Sequence, residues 1–186
     1  MNTRLSIING ALTRMGERLI HDVEEGTSTA KLMNQIYNHA RKNLLRLHPW
    51  SFAKKRVQLS PVTSTPTFGY QNAFVMPNDL VRVINPHVQN WEIEGRYILA
   101  DTDVLNLIYI FDNDKEQEFD DVFVEAFILH LTSEMCKVIT GSSAAGELAA
   151  VKLQEVLQQA RTLNGMERPS QSIDAGYVSE LIWSRY

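Results

Sequence analysis

The chain has 186 residues, of which 44% are hydrophobic, 22% charged and 9% aromatic. This composition excludes a collagen-like or disordered protein and is typical of a globular domain, which at this length removes roughly 70% of its unfolded surface from water. The formal charge of -4 argues against a dedicated duplex-DNA binder, because neutralising phosphates requires a clustered excess of Lys and Arg. We therefore expect DNA to be at most a non-specific cargo.

The sequence indicates a protein of a reducing compartment with no membrane partner. Cys136 is the only cysteine, so an intrachain disulfide and a cysteine-based zinc site are excluded. No stretch approaches the ~18 apolar residues of a membrane span. Residues 1–10 also lack the apolar core of a signal peptide. We expect a cytoplasmic location before any assembly.

Apolar residues three and four apart predict two helices at the start of the chain. The first has Thr3 as its N-cap and Gly16 just past its end. Its apolar residues are Leu5, Ile8, Leu12 and Met15. The second begins near Thr27 and Ser28 and ends before Pro49, which disfavours helical geometry in the preceding residue. Its predicted apolar face consists of Met33, Ile36, Tyr37, Ala40, Leu44 and Leu47.

From Trp50 to Phe111 the hydrophobic period changes to about two, and Pro, Gly, Asn and Asp separate the apolar runs. This pattern predicts strands. The six candidates are Arg56–Leu59, Ala73–Met76, Leu80–Ile84, Trp91–Ile93, Tyr97–Leu99 and Leu105–Phe111. Glu94-Gly95-Arg96 predicts a tight hairpin between the fourth and fifth strands, because Gly95 adopts positive φ without steric cost.

Two long helices are predicted after the strands. The first, Glu118 to Thr140, has acidic residues near its start and Gly141 after its end. It is apolar on nearly all sides, which indicates a central core helix. The second begins at Ser142 or Ser143 and ends at Gly165, with an apolar face of Ala149, Leu153, Val156, Ala160 and Leu163. A short connection favours antiparallel packing of the pair.

These elements predict an α+β fold, mainly α: a bundle of about four helices with an inserted small antiparallel β region and an extended C-terminal tail. The bundle is assigned to residues 1–48 and 117–165, and the β region to residues 49–116. The tail, residues 166–186, begins polar and ends in an apolar tip. That tip is the candidate partner-binding segment and contains Val178, Leu181, Ile182, Trp183 and Tyr186.

The sequence offers little catalytic chemistry. The GxxxxGK[ST], GxGxxG and GxSxG signatures are absent. His130 and Glu134 lie four residues apart on a predicted helix, as two metal ligands would, but the second His of a zincin is missing. A structural role is therefore the preferred interpretation of this pair. We predict a protein that is not an enzyme and has no catalytic residue, cofactor or metal site.

An acidic run extends from Asp112 to Asp121. Its Asp112-Asn113-Asp114 start is similar to a calcium loop, but Gln117 stands where such a loop requires Gly. A solvated loop entering a helix N-terminus explains the run better, because carboxylates are favoured there. In a ring-shaped assembly the same residues could line a channel and repel DNA phosphates.

Two further clusters lie side by side in the chain. Lys54, Lys55 and Arg56 form a short basic run, for which an exposed strand start or a contact with an acidic neighbour is preferred over phosphate binding. Just before it, the second predicted helix stops and two large aromatic residues follow. We predict that Pro49, Trp50 and Phe52 anchor a structural corner between helix and strand by burying apolar area.

The order and spacing of these features resemble the phage tail tubular protein A family of head-to-tail adaptors, over nearly the whole chain. The matching segments are the opening helix Ile8–Gly16, then Tyr37, Arg41 and Leu44-Leu45, the corner His48–Ala53, Met76-Pro77-Asn78-Asp79, the hairpin Trp91–Gly95, Tyr109-Ile110 and Phe123–Ala126. The tail, residues 166–186, has no counterpart in this pattern.

The resemblance implies a structural virion protein: twelve copies in a ring between the portal protein and the tail nozzle protein, through which DNA passes. It implies no catalytic residues. The expected location is the virion tail, after assembly in the host cytoplasm. Two alternatives stay open: a small phage-encoded hydrolase that uses His130 with Glu134 or the acidic run, and a regulatory module that binds a bacterial protein through its apolar tip.

Overall fold

The computed structural model describes residues 2–63 and 66–166, with side chains through Leu163. This described part contains four α-helices, six strands and two short 3-10 helices, at Ser51–Ala53 and Glu116–Glu118. The α-helices are α1 (Arg4–Met15), α2 (Ser28–Leu47), α3 (Asp121–Thr140) and α4 (Ala144–Met166). The strands are β1 (Lys54–Leu59), β2 (Asn72–Val75), β3 (Leu80–Asn85), β4 (Trp91–Glu94), β5 (Tyr97–Ala100) and β6 (Leu105–Phe111).

The first two helices begin at side-chain caps that the sequence predicts. Thr3 forms a capping box with Ser6 at the start of α1, and Gly16 ends this helix with φ 75°. The Thr27 side chain caps α2 by accepting from the amide of Ala30. The expected apolar face of α2 is buried except at its end, where Leu47 is 48% exposed. Leu47 lies in the last turn of the helix, beyond the elements against which the rest of that face packs.

The start of the third helix differs from the prediction by three residues. We expected Glu118, but Glu116–Glu118 form a separate 3-10 turn and α3 starts at Asp121. The reason is local: the Asp120 carboxylate accepts from the amide of Phe123 at 2.6 Å, which fixes Asp120 as the N-cap.

Helix α4 continues to Met166, one residue past the expected stop at Gly165.

Helix α3 is the centre of the bundle, because it packs against α1, α2 and α4. Its buried side chains include Phe123, Phe127 and Leu131. The contact with α4 is close: a Cβ placed on Gly146 would lie 3.0 Å from the Cβ of Cys136. The far end of α4 returns to the start of α3, since Ala160 and Val122 line one small cavity. The two helices are therefore antiparallel, as the sequence predicts.

The six strands form two antiparallel three-stranded sheets. Sheet A has the order β1-β6-β3, and sheet B has the order β2-β5-β4. In sheet A, the register places Lys54 opposite Ile110 and Leu59 opposite Leu105. In sheet B, the hairpin turns at Gly95, whose φ is 58°. The strands that pair in sheet A are distant in sequence, which is why the pairing could not be read from the order of the elements.

Strand β6 separates two hydrophobic cores. Leu105, Leu107 and Tyr109 point toward sheet B and form a small core with Phe74 and Ile98. Ile110 points the other way and belongs to the main core, which the helices form. Alternate side chains of a strand point to opposite faces, so sheet A is covered on both sides. The architecture is a helical bundle, then sheet A, then sheet B.

The fold confirms the α+β, mainly α, prediction, with the β strands inserted between helical segments. None of the helices in residues 2–63 and 66–166 has both the length and the apolar composition of a membrane span. The predicted docking tail, with Val178, Leu181, Ile182, Trp183 and Tyr186, lies outside the described residues.

Candidate interaction surfaces

The corner after α2 is a packed aromatic junction. Trp50 is 2% exposed, and its indole Nε1 donates to the backbone oxygen of Leu44 at 3.1 Å. Its ring meets Phe123 edge-on with centroids 5.0 Å apart, and Phe52 meets Phe119 at 5.4 Å. Edge-to-face pairs at these distances add stability beyond burial alone. Together with Pro49, which follows the last α2 residues, Trp50 and Phe52 fix the angle at which the chain leaves the bundle.

A cavity of about 180 Å³ beside this corner is lined by His48, Ser51 and Asp120, the residue types of a hydrolytic triad. Three observations favour a structural role. Ligand pockets usually hold about 300–1,000 Å³. The carboxylate of Asp120 caps α3. Finally, burial, assisted by the nearby charges of Arg161, Lys54 and Arg82, lowers the pKa of His48 to about 4, and the imidazole packs edge-on against Trp50.

The acidic run is only partly a solvated loop, which corrects the sequence interpretation. Asp112 accepts from Arg41 at 2.7 Å and pairs with Lys42 at 3.0 Å. Burial opposes ionisation of Asp112. The hydrogen bonds and charges of Lys42 and Arg41 outweigh this effect and hold the pKa of Asp112 below its ordinary value. Arg41 is 5% exposed, so this ion pair joins α2 to the end of β6 inside the molecule. These residues are engaged in packing the two halves together.

Two further carboxylates of the run, Glu116 and Glu118, are anchored as well. Glu118 accepts from Asn113 at 2.9 Å and from Lys115 at 3.0 Å. Glu116 accepts from the hydroxyl of buried Tyr37 at 3.3 Å, and burial raises the pKa of that hydroxyl. Among the described residues, no group of three His, Cys, Asp or Glu side chains could hold a metal ion.

Lys55 of the basic cluster binds an acidic neighbour, as the sequence interpretation preferred. Its Nζ lies 2.7 Å from Oδ2 of Asp79 and 3.8 Å from the ring centroid of Phe111. The hydroxyl of Tyr109 donates to the other oxygen of Asp79 at 3.0 Å. Burial, and then this bond, raise the pKa of Tyr109 to about 12. Arg56 has no ion-pair partner among the described residues.

His130, the centre of the enzymatic alternative, is partly buried in α3. Burial lowers its pKa, which the charge of Glu134 opposes. Its Nε2 atom is buried without a hydrogen-bond partner in the described part of the chain. These surroundings favour the neutral form of the imidazole, which lies half-buried in the bundle.

Exposed apolar side chains include one group on the bundle, one group in sheet B and single residues elsewhere, among them Phe68, which is 88% exposed. On the outer surface of the bundle, Val138 is 61% exposed, and Leu148 and Val151 are each 57% exposed. The second group, called here the apolar rim, is part of sheet B. It consists of Val75 and Tyr97 on the outer face of the sheet and Trp91 and Ile93 on the inner face, all of them 36–47% exposed. Isolated exposed hydrophobics are ordinary, but a group within one small sheet is typical of a binding surface.

A cavity of about 650 Å³ lies beside the rim on the outer face of sheet B, lined by residues that include Val62, Pro66, Ala73, Tyr97 and Leu99. Sequence reasoning missed this region. The alternation in Trp91-Glu92-Ile93-Glu94 identified a strand, but period two alone cannot tell an edge strand from an inner one.

The aromatic corner, the Asp112 ion pairs and the apolar rim are thus the notable features of the described residues. Compared with protein-family models and with curated proteins, the chain matches none.

Proposed function

We propose that this protein is a head-to-tail adaptor of a bacteriophage: a structural subunit, twelve copies of which form a ring between portal and tail nozzle. DNA passes through the ring as non-specific cargo. The proposal is supported by the ordered resemblance of sequence segments and by a fold of the kind that this resemblance implies.

The observation that carries the proposal is the presence of two different apolar surfaces on one small chain. Leu148 and Val151 of α4 lie on the bundle, whereas Trp91 and Ile93 of the apolar rim lie on sheet B. An adaptor subunit meets other copies in the ring as well as the portal and the nozzle, so it needs more than one contact surface. Two distinct surfaces on separate layers of the fold suit that requirement.

The ion pairs within the subunit fit a structural role as well. Asp112, Asp79 and Glu118, which could have served as acids or cation ligands, form ion pairs with Arg41, Lys55 and Lys115 respectively. The Asp112 pair joins the bundle to sheet A, the Asp79 pair lies within sheet A, and the Glu118 pair is local to the turn before α3. The charges of these three carboxylates are therefore used within the subunit.

Docking to the portal is assigned to the apolar tip with Val178, Leu181, Ile182, Trp183 and Tyr186. Aromatic residues concentrate binding energy at interfaces, so Trp183 and Tyr186 are the expected anchors in a groove of the portal. Deleting residues 178–186 should leave a folded subunit that binds the portal at least tenfold more weakly. Equal assembly of the shortened chain would contradict the docking role.

Electron microscopy of the protein mixed with portal tests the function as a whole. Twelve-fold rings on the portal are the expected result. A complex with a bacterial protein and no ring would favour the regulatory module. Substrate turnover that is lost in His130→Ala and retained in His39→Ala would favour the hydrolase.

A further inference from the structure

Two strand edges are unoccupied in the described part of the chain. Strand β4 pairs with β5 alone, and Lys55 to Leu59 of β1 pair with β6 alone. The other two outer strands each accept a hydrogen bond from a residue outside the sheets. The amide of Val62 donates to the oxygen of Ala73 in β2 at 2.8 Å, and Arg46 donates to the oxygen of Val81 in β3 at 3.3 Å. An open edge is a template for pairing with another strand.

The two open edges lie on opposite sides of the pair of sheets. Leu59, the last residue of β1, is three residues from Val62, which hydrogen-bonds to β2. Three residues reach at most about 10 Å, so β1 and β2 are on the same side. Because β5 separates β2 from β4, the open edge of β4 is on the far side of sheet B.

The edges have opposite charge. Strand β1 begins Lys54-Lys55-Arg56, and β4 contains Glu92 and Glu94. Lys55 is already bound to Asp79. Arg56, which is exposed and has no ion-pair partner among the described residues, is the charge available for a contact outside the subunit. All four residues of β4 are exposed.

The faces of the two strands match as well. In β1, Val57 and Leu59 pack toward the small core, so Arg56 and Gln58 lie on the other face. In β4, Ile93 and Trp91 are paired with the inward-facing Ile98 and Ala100 of β5, so Glu92 and Glu94 lie on the other face. Pairing the two edges therefore brings apolar residues together on one face and opposite charges together on the other.

We propose that β4 of one subunit pairs with β1 of the next copy of this chain, extending sheet B of one subunit into sheet A of its neighbour. The inference rests on the proposed ring function and specifies its lateral interface. Backbone hydrogen bonds supply the contact, and the Glu92, Glu94 and Arg56 charges set its direction, because β4 meeting β4 or β1 meeting β1 would bring like charges together. Such a head-to-tail contact closes into a ring when its rotation permits.

A charge exchange tests this interface in the intact protein. Glu92→Lys and Arg56→Glu should each weaken self-association, measured by sedimentation at high protein concentration and low salt, by about tenfold. In the double variant, the lysine introduced at position 92 of one subunit faces the glutamate introduced at position 56 of the next, so opposite charges meet again. Its self-association constant should be within about threefold of that of the unmodified chain. The matched control is Glu24→Lys, the same charge reversal on an exposed residue of the connection between α1 and α2, which should have little effect.

Cross-linking provides a second readout that tolerates different strand registers. A chain with Gln58→Cys and Glu92→Cys, treated with a short bismaleimide, should give a ladder of covalent oligomers. A chain with Gln58→Cys and Glu24→Cys should not, because Glu24 is exposed but lies outside the proposed interface. The native Cys136 is buried. If self-association and portal rings persist in Glu92→Lys without a ladder in the first chain, the strand pairing is wrong and the ring function stands. If the unmodified protein forms no ring on the portal, the proposed function fails.

Discussion

The Nη2 atom of Arg41 lies 2.7 Å from Oδ1 of Asp112, and this contact joins α2 to the residue that follows β6. Arg41 is almost fully buried, whereas Lys42, the second partner of Asp112, has a side chain that is 54% exposed. The two cations therefore contribute unequally, because solvent screens the exposed pair and a buried charge needs its partner.

Asp112→Ala should lower the free energy of unfolding by about 3 kcal/mol, since it leaves a buried guanidinium without its carboxylate. Lys42→Ala should cost less than about 1 kcal/mol, as exposed ion pairs usually do. Urea denaturation of both variants measures the difference. Equal losses would show that the buried pair is not the principal contact.

Trp50→Ala should destabilise the protein by about 3–5 kcal/mol, because it removes a buried aromatic side chain and leaves a cavity at the corner. Trp50→Phe retains most of the apolar area but loses the bond to the oxygen of Leu44, so we expect a loss of about 1–2 kcal/mol. The control is Trp91→Ala in the apolar rim, which should change monomer stability by less than about 1 kcal/mol. A small effect of Trp50→Ala on the denaturation midpoint would contradict the anchoring role.

Gly146→Ala tests the close approach of α3 and α4. Alanine improves helix propensity by about 1 kcal/mol. The new Cβ, however, would lie 3.0 Å from the Cβ of Cys136 and 3.4 Å from the backbone oxygen of Ser133, and overpacking of this kind costs about 1–3 kcal/mol. We expect a net loss and a lower Tm. Gly26→Ala, where nothing lies within 4 Å of the new Cβ, is the matched control and should leave the Tm nearly unchanged.

Stability should fall as the pH drops from 6.5 toward 4. The pKa of His48 is about 4 in the folded protein and 6.5 in the unfolded chain, so the unfolded chain binds the proton first in this window. The shift corresponds to a loss of about 3 kcal/mol. His130, whose pKa is also lowered by burial, acts in the same direction. Asp79 and Asp112 have lowered pKa values, so their stabilisation is lost at more acidic pH.

His48→Gln should flatten the slope of unfolding free energy against pH between 6.5 and 4, and His21→Gln, at an exposed position, should not. Denaturation at several pH values in both variants makes the comparison. An unchanged slope in His48→Gln would assign the pH dependence to other groups.

Local signals predicted much of the fold. Thr3, Gly16, Pro49 and Gly141 marked helix ends correctly because capping and backbone conformation depend on neighbouring residues. All six predicted strands occur, with ends that differ by up to two residues, as when β1 starts at Lys54 in place of Arg56.

The surfaces were harder to predict, because they depend on pairing over long sequence distances. The sequence predicts that Asp112 is part of a solvated loop. In the fold it lies beside Arg41, which is 71 residues earlier in the chain. The open edges of β1 and β4 follow from the strand order, which the sequence does not predict. The docking role of Trp183 and Tyr186 stays a prediction from sequence.

Strand β6 belongs to both cores: Tyr109 is part of the smaller one and Ile110 of the larger one, in adjacent positions. Neither core can lose its packing without exposing the opposite side of the same strand. Bundle and sheets should consequently melt in a single calorimetric transition. A force applied to sheet B would pass through this strand directly to the helices, so the subunit would respond as one stiff mechanical element.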